Sequence, residues 1–499
     1  MPGSDGDRPP CWLGIDLGTQ SVRALLADAT GRVLGRGSAP LTGHRPSAGR
    51  HEQDPEDWWA AARAAAREAL AGPGGGAASV RGVAVCSTSG TVLLAGPSGE
   101  PLTPGLMYDD GRAGDEAAEA QAAGAEVWDR LGVRIQPSWA LAKALWLVRR
   151  HAPPPGGRLL HQADVITGRL VGGTVATDSS HALKTGYDLL SEGWPCEVLG
   201  SLGLDDALLP SVVRPGTVLG GVCAAAAEAT GIPAGTPVIA GMTDGCASQL
   251  GSGALRVGRW NSVLGTTLVL KGVTADPVRD PAGVMYSHRS PDGGWLPGGA
   301  SSVGAGVLTG DRDRLAALDA EAAAFEPSTA VAYPLVSRGE RFPFLAPGAV
   351  GFMLGEPSGE ADRHAALLQG VALVERLALS YVQALGAPVE GPVTFTGGAA
   401  RSAYWCRLRA DVLGRPARIP EHADAALGMA ILAAYGTTAP GPGRSLAGIA
   451  ESMVRIRATV EPRPGGAERF AGPYRRLLDE LERRGWLPAE VAAHARGNE

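Results

Sequence analysis

The sequence predicts an α/β protein built from two related domains. Three observations carry that expectation. Two apolar strand–turn–strand units, "IDLGTQSVRAL" and "SVLGTTLVL", lie in different halves of the chain. Strand-like runs alternate with helix-patterned segments on either side of them. The chain also has 499 residues, more than one ordinary hydrophobic core organises. We place the domains at 10–245 and 246–490.

The elements follow in order. "CWLGIDLGTQSVRALLADATGRVLGRG" reads as strand, tight turn, strand, turn, strand. In "HEQDPEDWWAAARAAAREALAG", Asp54 is a good N-cap, Pro55 suits the first helical position, and Glu56 and Asp57 favour the positive end of the helix. That helix is expected to end at Gly72-Pro73. "VRGVAVCSTSG" is a buried strand entering a small-residue loop, and "TPGLMYDDGRA" is a short strand ending in charge. Helices follow over 113–150. The 168–200 region is loop-rich and polar, with hydrogen-bonding side chains concentrated in "TDSSHALKTGYD" (Asp178, His181, Lys184). The second α/β half begins near "TPVIAGMTDGCASQL", a strand, a turn holding Asp244 and a short helix. "RHAALLQGVALVERLALSYVQAL" is a long amphipathic helix, "PVTFTGGAARSAYWCRLRADVLG" is strand, Gly-Gly turn, helix, and "YRRLLDELERRGWL" is a charged helix.

Composition narrows the function. Apolar residues make up 44% and charged residues 19%, as in globular proteins. A net charge of -6 argues against nucleic acid as a partner. The six cysteines show no CxxC pair and sit largely in apolar runs, so we expect reduced thiols rather than a disulfide framework or zinc site. The polar start "MPGSDGDRPP" has no apolar signal region, and no uninterrupted apolar run approaches roughly 18 residues. We expect a soluble cytoplasmic protein with no membrane partner.

The turn "DLGTQS" carries more polar detail than a hairpin needs. A phosphate requires converging backbone N–H groups and no bulk in the way. Gly18 permits close approach, Thr19 and Ser21 add hydroxyls, and Asp16 can hold a magnesium ion through water. The same residues also make an ordinary hairpin turn. "LGTT" repeats the arrangement with Gly265, Thr266 and Thr267 but no acid. Two such turns point to one nucleotide held by two halves. No GxxxxGK[ST] occurs, which excludes a P-loop, and no GxGxxG follows the first strand. "FTGGAARSAYW" delivers Gly397-Gly398 into a helix start, a place for close backbone approach to a ribose or adenine, or simply a turn needing glycine. Asp244 stands where α/β enzymes present catalytic groups, and where an N-cap would also stand. In "YDDGR", Asp110 and Arg112 can grip a polyhydroxylated ligand, or the segment is a surface turn with an ion pair. Ser87 and Thr88 of "CSTSG" carry the same ambiguity.

Together these motifs resemble the FGGY carbohydrate kinases, of the actin, hexokinase and heat-shock-ATPase superfamily, from about Trp12 to Tyr435. The resemblance implies two actin-like, ribonuclease H-like α/β domains with a cleft between them, ATP and Mg2+ as cofactors, and a sugar as the small-molecule partner. It puts Gly18, Thr19, Gln20 and Ser21 near the phosphates, Asp16 near magnesium, and Gly265, Thr266 and Thr267 in the second phosphate hairpin. Gly397, Gly398, Ala399 and Ser402 fall nearest the adenosine, and Asp244 falls on the catalytic base. Ser87, Thr88, Asp110, Arg112 and Asp244 fall on the substrate side. The implied reaction is phosphorylation of a ketopentose at its terminal hydroxyl. "CSTSG" replaces the Gln-Met-His-Gly segment of xylulokinases, while "HALKTGYD", "VLGTTLVLK" and "YPLVSRGERFP" look similar to D-ribulose kinases, so D-ribulose is the favoured acceptor and D-xylulose or another polyol the alternative. A non-catalytic actin-like ATP-binding or sugar-sensing protein is the reading of a different class. A homodimer is compatible with the resemblance.

Overall fold

The computed structural model describes residues 9–72, 79–439 and 445–497. The N-terminal "MPGSDGDR" and the expected helix stop at Pro73 lie outside them. By contacts the chain forms two compact units. The first comprises the chain up to Gly253 with His288–Gly294 and His422–Arg455; the second comprises Ala254–Ser287, Trp295–Glu421 and the chain from Ile456. The helix Ala425–Thr437, which lies beyond the domain boundary read near residue 245, packs on the first unit's sheet.

That sheet is built from β1 (Cys11–Leu17), β2 (Ser21–Asp28), β3 (Val33–Pro40), β4 (Val80–Ser87), β5 (Val218–Gly221) and β6 (Pro237–Ile239), in the order β5-β6-β4-β1-β2-β3. The β1–β2 and β2–β3 pairs are antiparallel, and β1, β4 and β6 run parallel. Nearly continuous burial along β1 and β4 fits strands covered on both faces. One cover is the helix Pro55–Leu70, capped by Asp54 as its sequence predicts. It lies so close that a Cβ at Gly35 or Gly37 would meet Ala69 or Ala65 carbonyl oxygen at 1.9 or 2.0 Å. The other cover is Ala425–Thr437, and a Cβ on Gly14 would sit 1.8 Å from Ala426 O. The same helix meets the helix Asp244–Ser252, where a Cβ on Gly428 would stand 1.9 Å from Ala247 O.

The second unit repeats the plan. Its strands are β7 (Trp260–Leu264), β8 (Leu268–Gly272), β9 (Met285–Arg289), β10 (Trp295–Ala300), β11 (Val393–Thr396), β12 (Ala417–Pro420) and β13 (Ile456–Val460), ordered β9-β10-β8-β7-β11-β12-β13. Again a hairpin pair, β7–β8, continues antiparallel to β10, and β7, β11 and β12 run parallel. The short likeness between "IDLGTQSVRAL" and "SVLGTTLVL" therefore marks equivalent hairpins in two similarly ordered sheets.

The helix Glu360–Ala384 departs from the amphipathic expectation. It is buried nearly all round and is the core helix of the second unit, although its length and apolar composition would also suit a membrane span. Its Glu375 forms a bidentate pair with Arg409 at 2.7 and 2.8 Å, both side chains fully buried, with the guanidinium 3.7 Å above Phe395. All six cysteines are unpaired, and Cys196 is exposed.

The Gly14 contact sets a test. Gly14→Ala forces a methyl into helix backbone that cannot rotate away, so the sheet and helix must part. We expect a loss of roughly 1–3 kcal/mol or more in denaturant unfolding. Unchanged stability would show that the helix Ala425–Thr437 does not bear on β1 as described.

Candidate active site

The parallel strands of the first unit deliver their carboxyl ends to one edge, where open α/β sheets hold their ligands. Asp16 is the penultimate residue of β1, Ser87 ends β4, and Thr243, bridged in parallel to Ser87, leads into Asp244. Asp244 is the first residue of the helix Asp244–Ser252, and the N-cap is Thr243, so the cap reading of Asp244 does not hold. Its Oδ1 accepts the Gly245 N–H at 2.7 Å. Asp16 is half-buried. Burial and then the neighbouring Asp244 carboxylate push its carboxyl up to about 6, against the pull of Arg23 and the Cys86 thiol, whose Sγ lies 3.5 Å from Oδ1.

The first turn is held from outside. Gly18 N–H donates to Ser21 O at 3.1 Å, and Leu41 N–H to Gln20 O. Gln53, buried and itself fixed by the Trp58 indole, donates to Thr19 O at 2.7 Å. Thr19 also meets the Tyr108 hydroxyl, whose pKa is raised by burial and by Asp109. Gln53 and Tyr108 escaped the sequence reading. Tyr108 adjoins a motif already noticed, whereas Gln53 carries no local signal.

The "YDDGR" loop is bound largely to its own neighbours. Both Asp110 oxygens are spent internally: Oδ2 accepts His51 N–H and Arg112 Nη2, and Oδ1 accepts Arg112 Nε. Arg112 also pairs with Glu52 and lies over Trp146. With Asp110 fully buried and the Arg112 side chain 4% exposed, these residues hold the loop. "CSTSG" is similar. Ser87 bonds His181, and Thr88 bonds Thr91 and Gln162. The groups left over are Ser89 Oγ and Gln162 Nε2, both buried without a protein partner.

In the second unit, Gly265 N–H donates to Thr267 O at 3.1 Å, and Ala305 and Gly306 N–H groups bond Gly265 O and Thr266 O. The 301–306 loop behind the turn is pinned by buried Glu340, which accepts from Ser301 Oγ, Ser302 N and the Tyr333 hydroxyl. Parallel pairing of β7 with β11 sets Gly397, at φ +81°, against Leu264 O, where a Cβ would stand at 2.5 Å. A Cβ on Gly398 would meet nothing within 4 Å, so open space adjoins this backbone. Ala399 instead points into the core, and Ser402 is engaged as the N-cap of Ala403–Leu413, its Oγ bonding Trp405 N and Asp319. The cradle is thus glycine backbone, and neither Ala399 nor Ser402 offers it a side chain.

The Asp16 shift has a measurable sign. Its carboxyl titrates above the ordinary aspartate value, so between that value and about 6 the folded protein holds the extra proton. Stability of the nucleotide- and metal-free protein must fall as pH rises through about 6, by on the order of 1–3 kcal/mol. Asp16→Asn abolishes that dependence, so its thermal midpoint should gain on wild type at pH 8 relative to pH 4. Parallel curves for the two proteins would refute the burial argument.

Residues 11–251 match the FGGY family of carbohydrate kinases, N-terminal domain, and residues 260–437 match its C-terminal domain. Xylulose kinase of Streptomyces coelicolor is 34% identical over 442 residues, spanning 85% of this chain and 88% of the relative. Autoinducer-2 kinase of Enterobacter sp. is 30% identical over 498 residues, spanning 92% of each. The solved xylulose kinase from Rhodospirillum rubrum superposes with TM-score 0.82 at 28% identity, over 95% of this chain and 99% of that one. Plasmodium falciparum glycerol kinase with ADP shares the fold at TM-score 0.81 and 15% identity, over 95% and 98%. The chain belongs to the FGGY family of carbohydrate kinases, ATP-dependent phosphotransferases that act on sugar hydroxyls.

Proposed function

We propose that the chain phosphorylates a ketopentose at its terminal hydroxyl, with D-xylulose as the leading acceptor and Asp244 as general base. The observation that carries the reading is the juxtaposition of Asp244, fixed at a helix start, with Asp16 at the end of β1. A fixed carboxylate can align a hydroxyl and accept its proton as the oxygen bonds phosphorus. The unsatisfied Ser89 Oγ and Gln162 Nε2 are suited to a hydroxyl-rich ligand, because buried polar groups otherwise go unpaired at a cost.

The nucleotide fits the glycine turns. A Cβ on Gly265 or Gly398 would meet nothing closer than 4.0 Å, so both border open space that a side chain would fill. None of the three lysines lies in either turn, so backbone dipoles face the phosphates. Among the described residues no group of three or more His, Cys, Asp or Glu could hold a metal ion. Magnesium needs only one or two carboxylates beside phosphate and water, and it would relieve the Asp16–Asp244 repulsion. When bound, it neutralises phosphate oxygens. Asp16 would hold it through water.

D-Xylulose leads because a 34% identical relative bears that activity in its name. D-Ribulose is the second reading, because "CSTSG" stands where xylulokinases resemble one another in Gln-Met-His-Gly. ADP release should be followed with D-xylulose, D-ribulose, L-ribulose, glycerol and autoinducer-2. We expect kcat/KM for D-xylulose to exceed that for D-ribulose by about tenfold; the reverse order overturns the substrate assignment. Asp244→Asn should keep ATP affinity and lose turnover by about a thousandfold or more. Gly398→Val should fold normally yet raise KM for ATP by about tenfold or more, since it fills space next to the nucleotide backbone cradle. An unchanged KM would remove Gly398 from the site.

A further inference from the structure

The densest buried polar cluster of the first unit lies in "TDSSHALKTGYD", and the steps above leave it unused. Asp178 is its hub. Oδ1 accepts Ser180 N, Ser180 Oγ and His181 N at 2.9, 2.6 and 3.0 Å, and Oδ2 lies 2.5 Å from His181 Nδ1. Two arms leave the hub. Along one, His181 Nε2 reaches Ser87 Oγ at 2.9 Å. Along the other, Ser180 Oγ accepts the Thr243 N–H at 2.9 Å. The five residues are 0–3% exposed.

Both arms end on the strand edge that carries the chemistry. Ser87 pairs with Leu17, next to Asp16, and bridges Thr243. Thr243 is the N-cap whose peptide continues into Asp244. Burial would push the His181 imidazole down, but the Asp178 carboxylate overrides it and holds the ring above its ordinary value. Burial likewise opposes the Asp178 charge, and His181 with the local N–H and hydroxyl donors holds its carboxyl low. The knot is therefore closed by hydrogen bonds between the Asp178 carboxylate and the His181 ring, each favouring the charged form of the other. The Asp–His–Ser order also occurs in hydrolytic triads, yet Ser87 has no exposed surface from which to attack a substrate.

We propose that Asp178, Ser180 and His181 are positioning residues for phosphoryl transfer, fixing the Thr243–Asp244 peptide relative to the end of β1. The inference rests on Asp244 as the base. Misplacing a base by even about 1 Å can cost on the order of a hundredfold in rate without loosening the nucleotide.

Ser180→Ala removes one oxygen and with it the bond to Thr243 N–H. Ser180→Ala, Asp244→Asn and the double variant should be compared by steady-state kinetics with ATP and the accepted sugar. We expect Ser180→Ala to lower kcat by about tenfold or more and leave KM for ATP within about twofold. The double variant should be no slower than Asp244→Asn alone, because the two act through one group. His181→Gln, which breaks the other arm, is the second variant should Ser180→Ala not fold, and the same pattern is expected of it. A folded variant with wild-type kcat, or a further loss in the double variant, overturns the positioning role. An Asp244→Asn enzyme that turns over normally overturns instead the base assignment on which the inference rests.

Discussion

Backbone packed directly on backbone governs the first unit. The helix Ala425–Thr437 touches β1 at Gly14 and the helix Asp244–Ser252 at Gly428, and Gly251 returns the contact toward Asp424 O, where a Cβ would stand 2.6 Å away. Gly241 makes the same approach to Val85 O, at 1.7 Å for a Cβ. At such separations no side chain can adjust between the layers, so sheet and helices keep one spacing. Asp16 and Asp244 sit on two of the elements locked in this way. Their proximity follows from where glycines fall, and their charge repulsion is borne by packing that cannot open a little at a time.

Against that apolar lock, each unit buries polar groups in hydrogen-bonded sets. Glu340 takes bonds from Ser301, Ser302 and Tyr333 behind the second turn. Asp178 does the same behind the first unit's strand edge. Glu375 and Arg409 face each other inside the second core. Removing one partner of such a set leaves a buried charge uncompensated, which costs more than the set contributes when whole. These sets specify where loops stand more than they raise stability. Each of the first two sits directly beneath a turn or strand end that carries the site.

What the sequence revealed and what it hid divide along one physical line. The hairpin turns, the strand-to-helix position of Asp244 and the Gly397–Gly398 turn are local, and their chemistry is written in consecutive residues. Gln53, Glu340 and the 301–306 loop act on those turns from far along the chain, and no local pattern announces them. Side chains that read as ligands were claimed by neighbours: Asp110 by Arg112 and His51, Ser402 by the helix it caps, Ala399 by the core. A polar residue in a motif has partners to satisfy before it has substrates, and only the fold shows which came first. The packing of one helix was hidden for the same reason, since Ala425–Thr437, late in the chain, lies against the first unit's sheet.

That helix also imposes an order on biosynthesis. The strands of the first sheet and the helix Asp244–Ser252 leave the ribosome well before Ala425–Thr437 exists. At roughly 5–20 residues per second the interval is on the order of 10–40 s, during which one face of β1 and β4 has no cover. The nascent first unit carries an exposed apolar surface for that time, and its carboxylate pair cannot reach its final geometry until the chain is nearly finished. A truncated or stalled product lacking this helix would hold both Gly-Thr turns and Asp244 in its sequence, and would still be unable to bring the first unit to closure.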